Sequence, residues 1–167
     1  LEDFSDAEFK KIVEGSKAKN PEAMLTAGSP TEIAQAYLGM NENNAEQVKV
    51  LSSFISRNAG LNINPATTAW CAAFVDAVLG AGGSKGTGKL NARSYLAWGV
   101  SVDTPAVGDV VILQRGSGGE NDWTGHVGFY MGTNADGTIR VLGGNQGDSV
   151  SEDDFDASKV LGFRRAG

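Results

Sequence analysis

The pattern of apolar and polar residues divides the chain into a helical first part and a strand-rich second part. A capping box at Ser5 starts a first predicted helix that runs to about Lys17. Ser29 precedes a proline, has a glutamate three residues later, and starts a second helix. Asn44 caps a longer helix that ends at Gly60 and places its apolar residues on one face.

After residue 60 the hydrophobic period changes. Residues 69–79 form an apolar stretch that predicts a helix, with Thr68 as its cap and Cys71 in its first turn. The turn sequence at 134–137 predicts an antiparallel hairpin. Helices followed by antiparallel strands indicate the α+β fold class. The strands are predicted from alternating and β-branched runs at 109–113, 126–131, 138–142 and 160–163.

Composition suits one compact domain, because 41% of the 167 residues are hydrophobic. Residues 1–28 have a weak apolar stripe and are predicted to be an accessory helical arm on a main domain of residues 29–167. The net charge of −6, without a basic cluster, argues against a nucleic-acid partner. No apolar run approaches the roughly 20 residues that span a bilayer, so membrane insertion is not expected. Because the first residue is not Met, we expect a processed product, a trimmed chain or a module of a longer protein.

The chain contains one cysteine and one histidine, and each lies in a favourable place for chemistry. Cys71 falls at a predicted helix start, where unpaired amides and the helix dipole favour the thiolate. His126 begins a predicted strand beside a glycine-rich loop. Isolated cysteines and histidines are more often core residues, but a thiol and an imidazole together can carry out acyl transfer. Their order and placement favour a cysteine hydrolase.

Three other features suggest chemistry and are better explained by structure. Gly83–Lys89 has the spacing of a phosphate-binding loop, but Leu90 replaces the metal-binding hydroxyl and the segment follows a helix. The acidic run 152–156 lacks the spacing of a calcium loop and is predicted to be a solvated loop. Asp109, before a strand, is predicted to be structural.

Four motifs occur in order: Trp-Cys-Ala-Ala-Phe-Val at 70–75, Pro-Ala-Val-Gly-Asp-Val-Val at 105–111, Gly-His-Val-Gly-Phe-Tyr at 125–130, and Gly-Gly-Asn-Gln at 143–146. Together they resemble the CHAP and NlpC group of papain-like cell-wall cysteine peptidases, and in particular a compact branch common in bacteriophage lysis cassettes. The resemblance implies a papain-like fold with N-terminal helices packed on a small antiparallel sheet. It also implies hydrolysis of an amide bond in peptidoglycan, by an endopeptidase or an N-acetylmuramoyl-L-alanine amidase.

The resemblance implies that Cys71 is the nucleophile, His126 the general base and Asn145 the group that orients the imidazole. Many relatives carry a glutamate two positions before such an asparagine, where this chain has Gly143. Gln146 or Asp148 could therefore replace Asn145, and a Cys–His dyad is a further alternative. A coupled thiolate and imidazolium predict a bell-shaped pH profile around neutrality.

Aromatic residues near the motifs are expected to line the substrate groove, and Trp123, Trp98 and Gln146 are predicted to bind substrate. The oxyanion would be held by the Cys71 amide and a second donor, for which Asn62, Asn64 and the pair Thr67–Thr68 are candidates. No metal or other cofactor is expected, although some relatives hold calcium.

The expected partner is bacterial peptidoglycan, which a monomer would reach from the periplasm or the outside as a phage lysin or virion lysin module. Two alternatives remain open. One is a bacterial toxin or wall-remodelling hydrolase of the same fold. The other is a catalytically silent wall-binding or tail-structural module.

Overall fold

The computed structural model describes residues 29–115 and 125–167. The predicted first helix, the whole proposed arm of residues 1–28, and Trp123 lie outside these described residues. The division into an arm and a main domain therefore stays a prediction.

Local capping signals place the first helices as predicted. Ser29 caps α1 and accepts a hydrogen bond from the Glu32 amide, with proline in the first turn. Asn44 caps α2 in the same way, and α2 ends at Gly60, which adopts a left-handed φ of 70°. A left-handed φ suits glycine because it has no Cβ. In the part of the chain that the structure describes, the α-helices are α1 (Pro30–Gln35), α2 (Ala45–Ala59) and α3 (Cys71–Ala81), and the 3-10 helices are Ala92–Ala97 and Ala157–Lys159.

Helix α3 begins two residues later than the apolar pattern predicts. Trp70, and not Thr68, is its N-cap, and the Trp70 side chain makes no capping hydrogen bond. Trp70 is instead fully buried, and its indole nitrogen donates to Glu42 at 3.0 Å. The burial of this large ring fixes where the helix starts, and Cys71 becomes its first residue.

Among the described residues, six antiparallel strands form one sheet in the order β1-β6-β2-β3-β4-β5. The predicted turn is confirmed: the Gly137 amide donates to the Asn134 carbonyl, and β3 pairs with β4 as a hairpin. Helices followed by this sheet confirm the α+β class. The strands are β1 (Val100–Ser101), β2 (Val110–Gln114), β3 (Gly125–Thr133), β4 (Ile139–Gln146), β5 (Ser149–Phe155) and β6 (Val160–Arg165).

The acidic run is an edge strand, so the prediction of a solvated loop is wrong. Arg140 of β4 lies opposite Asp154 of β5 and forms ion pairs of 3.3 Å with Asp154 and Glu152. Val150 is buried. These contacts stabilise the acidic run as a strand of the sheet. The acidic side chains also disfavour pairing of the β5 edge with another chain.

The sheet buries its two faces differently. One face packs on the helices through residues such as Ile112, Phe129 and Leu142. The other face forms a smaller cluster that includes Leu113 and Val141. Alternate residues of one strand therefore enter different environments. Among the helices of the described residues, none is long and apolar enough to cross a membrane.

Candidate active site

Cys71 is the first residue of α3 and is only 4% exposed. Burial is the largest influence on its thiol and raises its pKa above the ordinary 9.0. A hydrogen bond from the Val127 backbone, the charge of Arg115 and the amides of Ala72 and Cys71 itself oppose this rise. The helix start does supply amides to the sulfur, but desolvation outweighs them. The helix start favours the thiolate as expected, but burial has the larger effect on the thiol pKa.

His126 lies on β3 opposite Leu113 of β2 and is 1% exposed. Its ring stacks on Phe155 of β5, with 5.5 Å between the ring centroids. Burial lowers the pKa of His126 to about 4, a shift that the Gln146 hydrogen bond opposes and the Arg115 charge reinforces. The imidazole is therefore neutral at neutral pH, as a general base must be.

Gln146 fixes which ring nitrogen of His126 carries the proton. The side-chain nitrogen of Gln146 donates to the carbonyls of Ser151 at 2.8 Å and Val141 at 3.2 Å. Carbonyls only accept, so the amide oxygen must be the atom that faces His126 Nε2 at 2.7 Å. Because that oxygen also only accepts, Nε2 carries the hydrogen. Nδ1 is then the unprotonated nitrogen, and it is buried without a hydrogen-bond partner.

A bulge in β4 brings Gln146, and not Asn145, to the imidazole. The register of β4 and β5 shifts between Gly143 and Gln146, where Asn145 adopts a left-handed φ of 59°. A regular strand would place Asn145 on the face that Gly143 and His126 share, but the extra residue turns Gln146 to that face. The backbone carbonyl of Asn145 instead accepts a hydrogen bond from Arg115 at 3.3 Å.

Gly143 leaves the space that the Gln146 side chain occupies. A Cβ at residue 143 would lie 2.7 Å from Gln146 Oε1. This contact is closer than real Cβ atoms tolerate, so a larger residue at 143 and the present position of Gln146 are incompatible. The absence of a glutamate at 143 and the presence of an amide at 146 thus have one structural explanation.

Cys71 contacts the residue that follows His126 in the chain. The Val127 backbone contacts the Cys71 thiol, and Val127 itself is buried against the helices. The start of α3 therefore lies against the start of β3. With the thiol pKa raised and the imidazole pKa lowered, both groups are neutral in the free protein. Chemically, this arrangement offers a buried neutral thiol in contact with the residue next to a neutral base whose tautomer is fixed.

Sequence reasoning missed a buried carboxyl in the middle of α3. Asp76 is 3% exposed and accepts hydrogen bonds from the Tyr95 hydroxyl and, at 3.4 Å, from the Gly88 amide. Burial raises the pKa of Asp76 despite these bonds. The signal in the sequence was the position of Asp76, an acidic residue within the otherwise apolar run 71–81. These bonds fix the position of the glycine-rich segment, which forms a loop as predicted.

The other predicted contact residues have structural partners. The Trp98 indole donates to the Lys85 carbonyl at 2.8 Å and packs edge-on against Tyr95. Asn62 accepts from the Ser56 hydroxyl, and Asn64 accepts from the Ala66 amide in a local turn. Roles in substrate binding or in the oxyanion hole stay predictions for all three.

Asp109 makes the structural contacts expected of it. Its carboxylate accepts two hydrogen bonds of 2.6 Å from Arg165 and one from the Ala106 amide. Partial burial raises the pKa of Asp109, but the Arg165 and Ala106 bonds together hold it below the ordinary 3.8. The pair joins the start of β2 to the end of β6.

Within residues 29–115 and 125–167, no group of three or more His, Cys, Asp or Glu side chains is arranged to hold a metal ion. No curated protein and no solved structure matches the chain significantly. Residues 63–145 match the family model of the CHAP domain, and this range includes Cys71 and His126. The chain therefore contains a CHAP domain at residues 63–145, and such a domain implies peptidoglycan hydrolysis in general without specifying the bond.

Proposed function

We propose that this protein hydrolyses an amide bond of peptidoglycan with Cys71 as nucleophile, His126 as general base and Gln146 as the residue that orients the base. The observation that carries the proposal is the buried imidazole. Its Nε2 is held by Gln146, and its Nδ1 has no hydrogen-bond partner. The contact between the Val127 backbone and the Cys71 thiol supports pairing the thiol with this imidazole.

In the proposed first step, the Cys71 sulfur attacks the carbonyl carbon of the scissile amide while the thiol proton moves to His126 Nδ1. The new imidazolium keeps its Nε2 hydrogen bond to Gln146. It then delivers the proton to the leaving amine as the carbon–nitrogen bond breaks. Water, deprotonated by the same imidazole, hydrolyses the thioester and restores the thiol.

The oxyanion of each tetrahedral intermediate needs donors near the sulfur. The backbone amides of Cys71 and Ala72 already act on the thiol, and no side chain caps this helix end. We assign the oxyanion to these amides, because donors fixed at a helix start need little reorganisation during the reaction.

A neutral resting pair changes how the site is activated. Because burial raises the thiol pKa, Cys71 should react with alkylating reagents more slowly than an exposed thiol. Proton transfer to Nδ1 then accompanies attack on the substrate and does not precede it. Slow alkylation is therefore compatible with catalysis and does not indicate a silent domain.

The finer assignment, to a phage lysin or virion lysin module acting from the periplasm or outside, is supported by the resemblance of the four motifs. Endopeptidase and amidase activities are the two candidates for the bond. Mass analysis of muropeptides released from defined walls separates them: an amidase frees the lactyl terminus of muramic acid and the amine of L-alanine. An endopeptidase creates a new end within the stem peptide or bridge.

The decisive experiment compares wild-type protein with Cys71→Ala and Cys71→Ser on purified cell walls. Both variants should lose lysis while keeping the circular dichroism spectrum of the wild type. Ser53→Ala is a matched control, because this buried hydroxyl on α2 has no hydrogen-bond partner and lies outside the proposed site. Clearing by folded Cys71→Ala at the wild-type rate would instead support a wall-binding or structural module.

A further inference from the structure

Arg115 is a cation beside the proposed catalytic pair that the mechanism above does not use. It follows β2 directly, at the strand end where Leu113 pairs with His126 and Gln114 with Gly125. Its guanidinium donates to the Asn145 carbonyl at 3.3 Å. Asn145 in turn precedes Gln146, so the arginine is joined to the segment that holds the imidazole.

The charge of Arg115 reaches both reacting groups. It lowers the pKa of the Cys71 thiol and also that of His126. These effects oppose each other in catalysis, since the positive charge favours a thiolate but disfavours the imidazolium that must form with it. Assistance of proton transfer from Cys71 to His126 therefore does not explain why Arg115 lies here.

An anionic group of the substrate does explain it. The Arg115 side chain is exposed, although its neighbours Cys71 and His126 are buried. The chain carries a net charge of −6, and the nearby Asp153 acts on His126 with the opposite sign. A local cation would offset the repulsion of an anionic ligand by this acidic protein. The planar guanidinium also matches a carboxylate in geometry.

We propose that Arg115 binds a carboxylate of the peptidoglycan stem peptide close to the scissile amide, so that the enzyme selects peptides in which this group is a free acid and not a carboxamide. The inference rests on the proposed function, because it names the substrate feature that the same site recognises. Arg115 acts in recognition, and the bonds made and broken remain those of Cys71 and His126.

The test uses two purified muropeptides that differ only by a carboxylate or a carboxamide at the acidic residue nearest the cleaved bond. Wild-type protein should favour the acid in kcat/KM by about ten- to hundredfold, the range expected for a charged hydrogen bond. In Arg115→Gln this ratio should fall towards one, mainly through KM for the acid. Arg115→Lys should recover part of the ratio, because it keeps the charge but not the planar fork.

Lys49→Gln is the matched control, because it removes the same charge from an exposed residue of α2 and should leave the ratio unchanged. A purely structural role for Arg115, through the Asn145 carbonyl, would lower kcat/KM for both muropeptides equally in Arg115→Gln. That result would overturn the inference, and so would an unchanged ratio.

Binding to a Cys71→Ala background separates this inference from the proposed function. Calorimetry should show that Cys71→Ala binds the acid more tightly than the carboxamide, and that adding Arg115→Gln removes the difference. If wild-type protein cleaves neither muropeptide but this Arg115-dependent difference persists, the proposed function fails and the inference holds. If cleavage requires Cys71 but the preference does not depend on Arg115, the inference fails and the proposed function holds.

Discussion

Replacing Gln146 with leucine should lower kcat while leaving the fold in place. Leucine has a similar size but cannot accept the His126 Nε2 hydrogen, which Gln146 Oε1 accepts at 2.7 Å in a site that is 1% to 4% exposed. In the transition state this bond becomes charge-assisted, because the imidazole takes up the thiol proton. Losing such a bond costs about 1.5–3 kcal/mol, which corresponds to about a 10- to 150-fold lower kcat.

The assay is hydrolysis of a soluble muropeptide, measured well below the melting temperature of each variant. This precaution matters because leucine also removes the donor to Val141 and Ser151, so the variant should keep the fold but have a lower melting temperature. Gln146→Glu gives a second readout. Its negative charge should raise the pKa of His126 from about 4 and move the acidic limb of the pH–rate profile upward.

Asn145→Gly is the matched control. It removes the neighbouring amide, and glycine keeps the left-handed φ of 59° without the strain that alanine would add. We expect kcat to stay close to that of the wild type. If Gln146→Leu retains kcat within about twofold while Asn145→Gly abolishes turnover, the orienting role belongs to Asn145 and the reasoning from the bulge is wrong.

The rate of hydrolysis of a soluble substrate should change little with pH around neutrality, because His126 has a pKa of about 4 and the thiol pKa lies above 9.0. A narrow bell-shaped profile centred on pH 7 would contradict this prediction. Gly143→Ala should lower kcat, because the new methyl group would lie 2.7 Å from Gln146 Oε1 and displace that side chain. A wild-type kcat in this variant would refute the explanation given for Gly143. Asp109→Asn should lower the melting temperature at pH 7, because it removes the ion pair with Arg165. The difference in melting temperature from wild type should shrink as the pH falls below 3.8, because protonation of the carboxylate removes the same stabilisation. A constant difference down to pH 2 would argue against the ion pair.

The sequence by itself determined the features that depend on near neighbours. Ser29 and Asn44 cap helices through bonds to amides three residues away, and Gly60 ends α2 through its own backbone conformation. The hairpin turn at 134–137 is equally local. Cys71 and His126 could be selected because the chain has one residue of each kind and each lies in a specific motif.

Only the tertiary structure decided the features that depend on distant partners. The acidic run became a strand because Arg140 of β4 lies beside it. The bulge turned Gln146 to the imidazole, which alternation along an isolated strand could not show, since the extra residue is defined only against β5. Burial set the charge states of Cys71 and His126, because desolvation comes from all the packed neighbours and outweighs the local effect of a helix start.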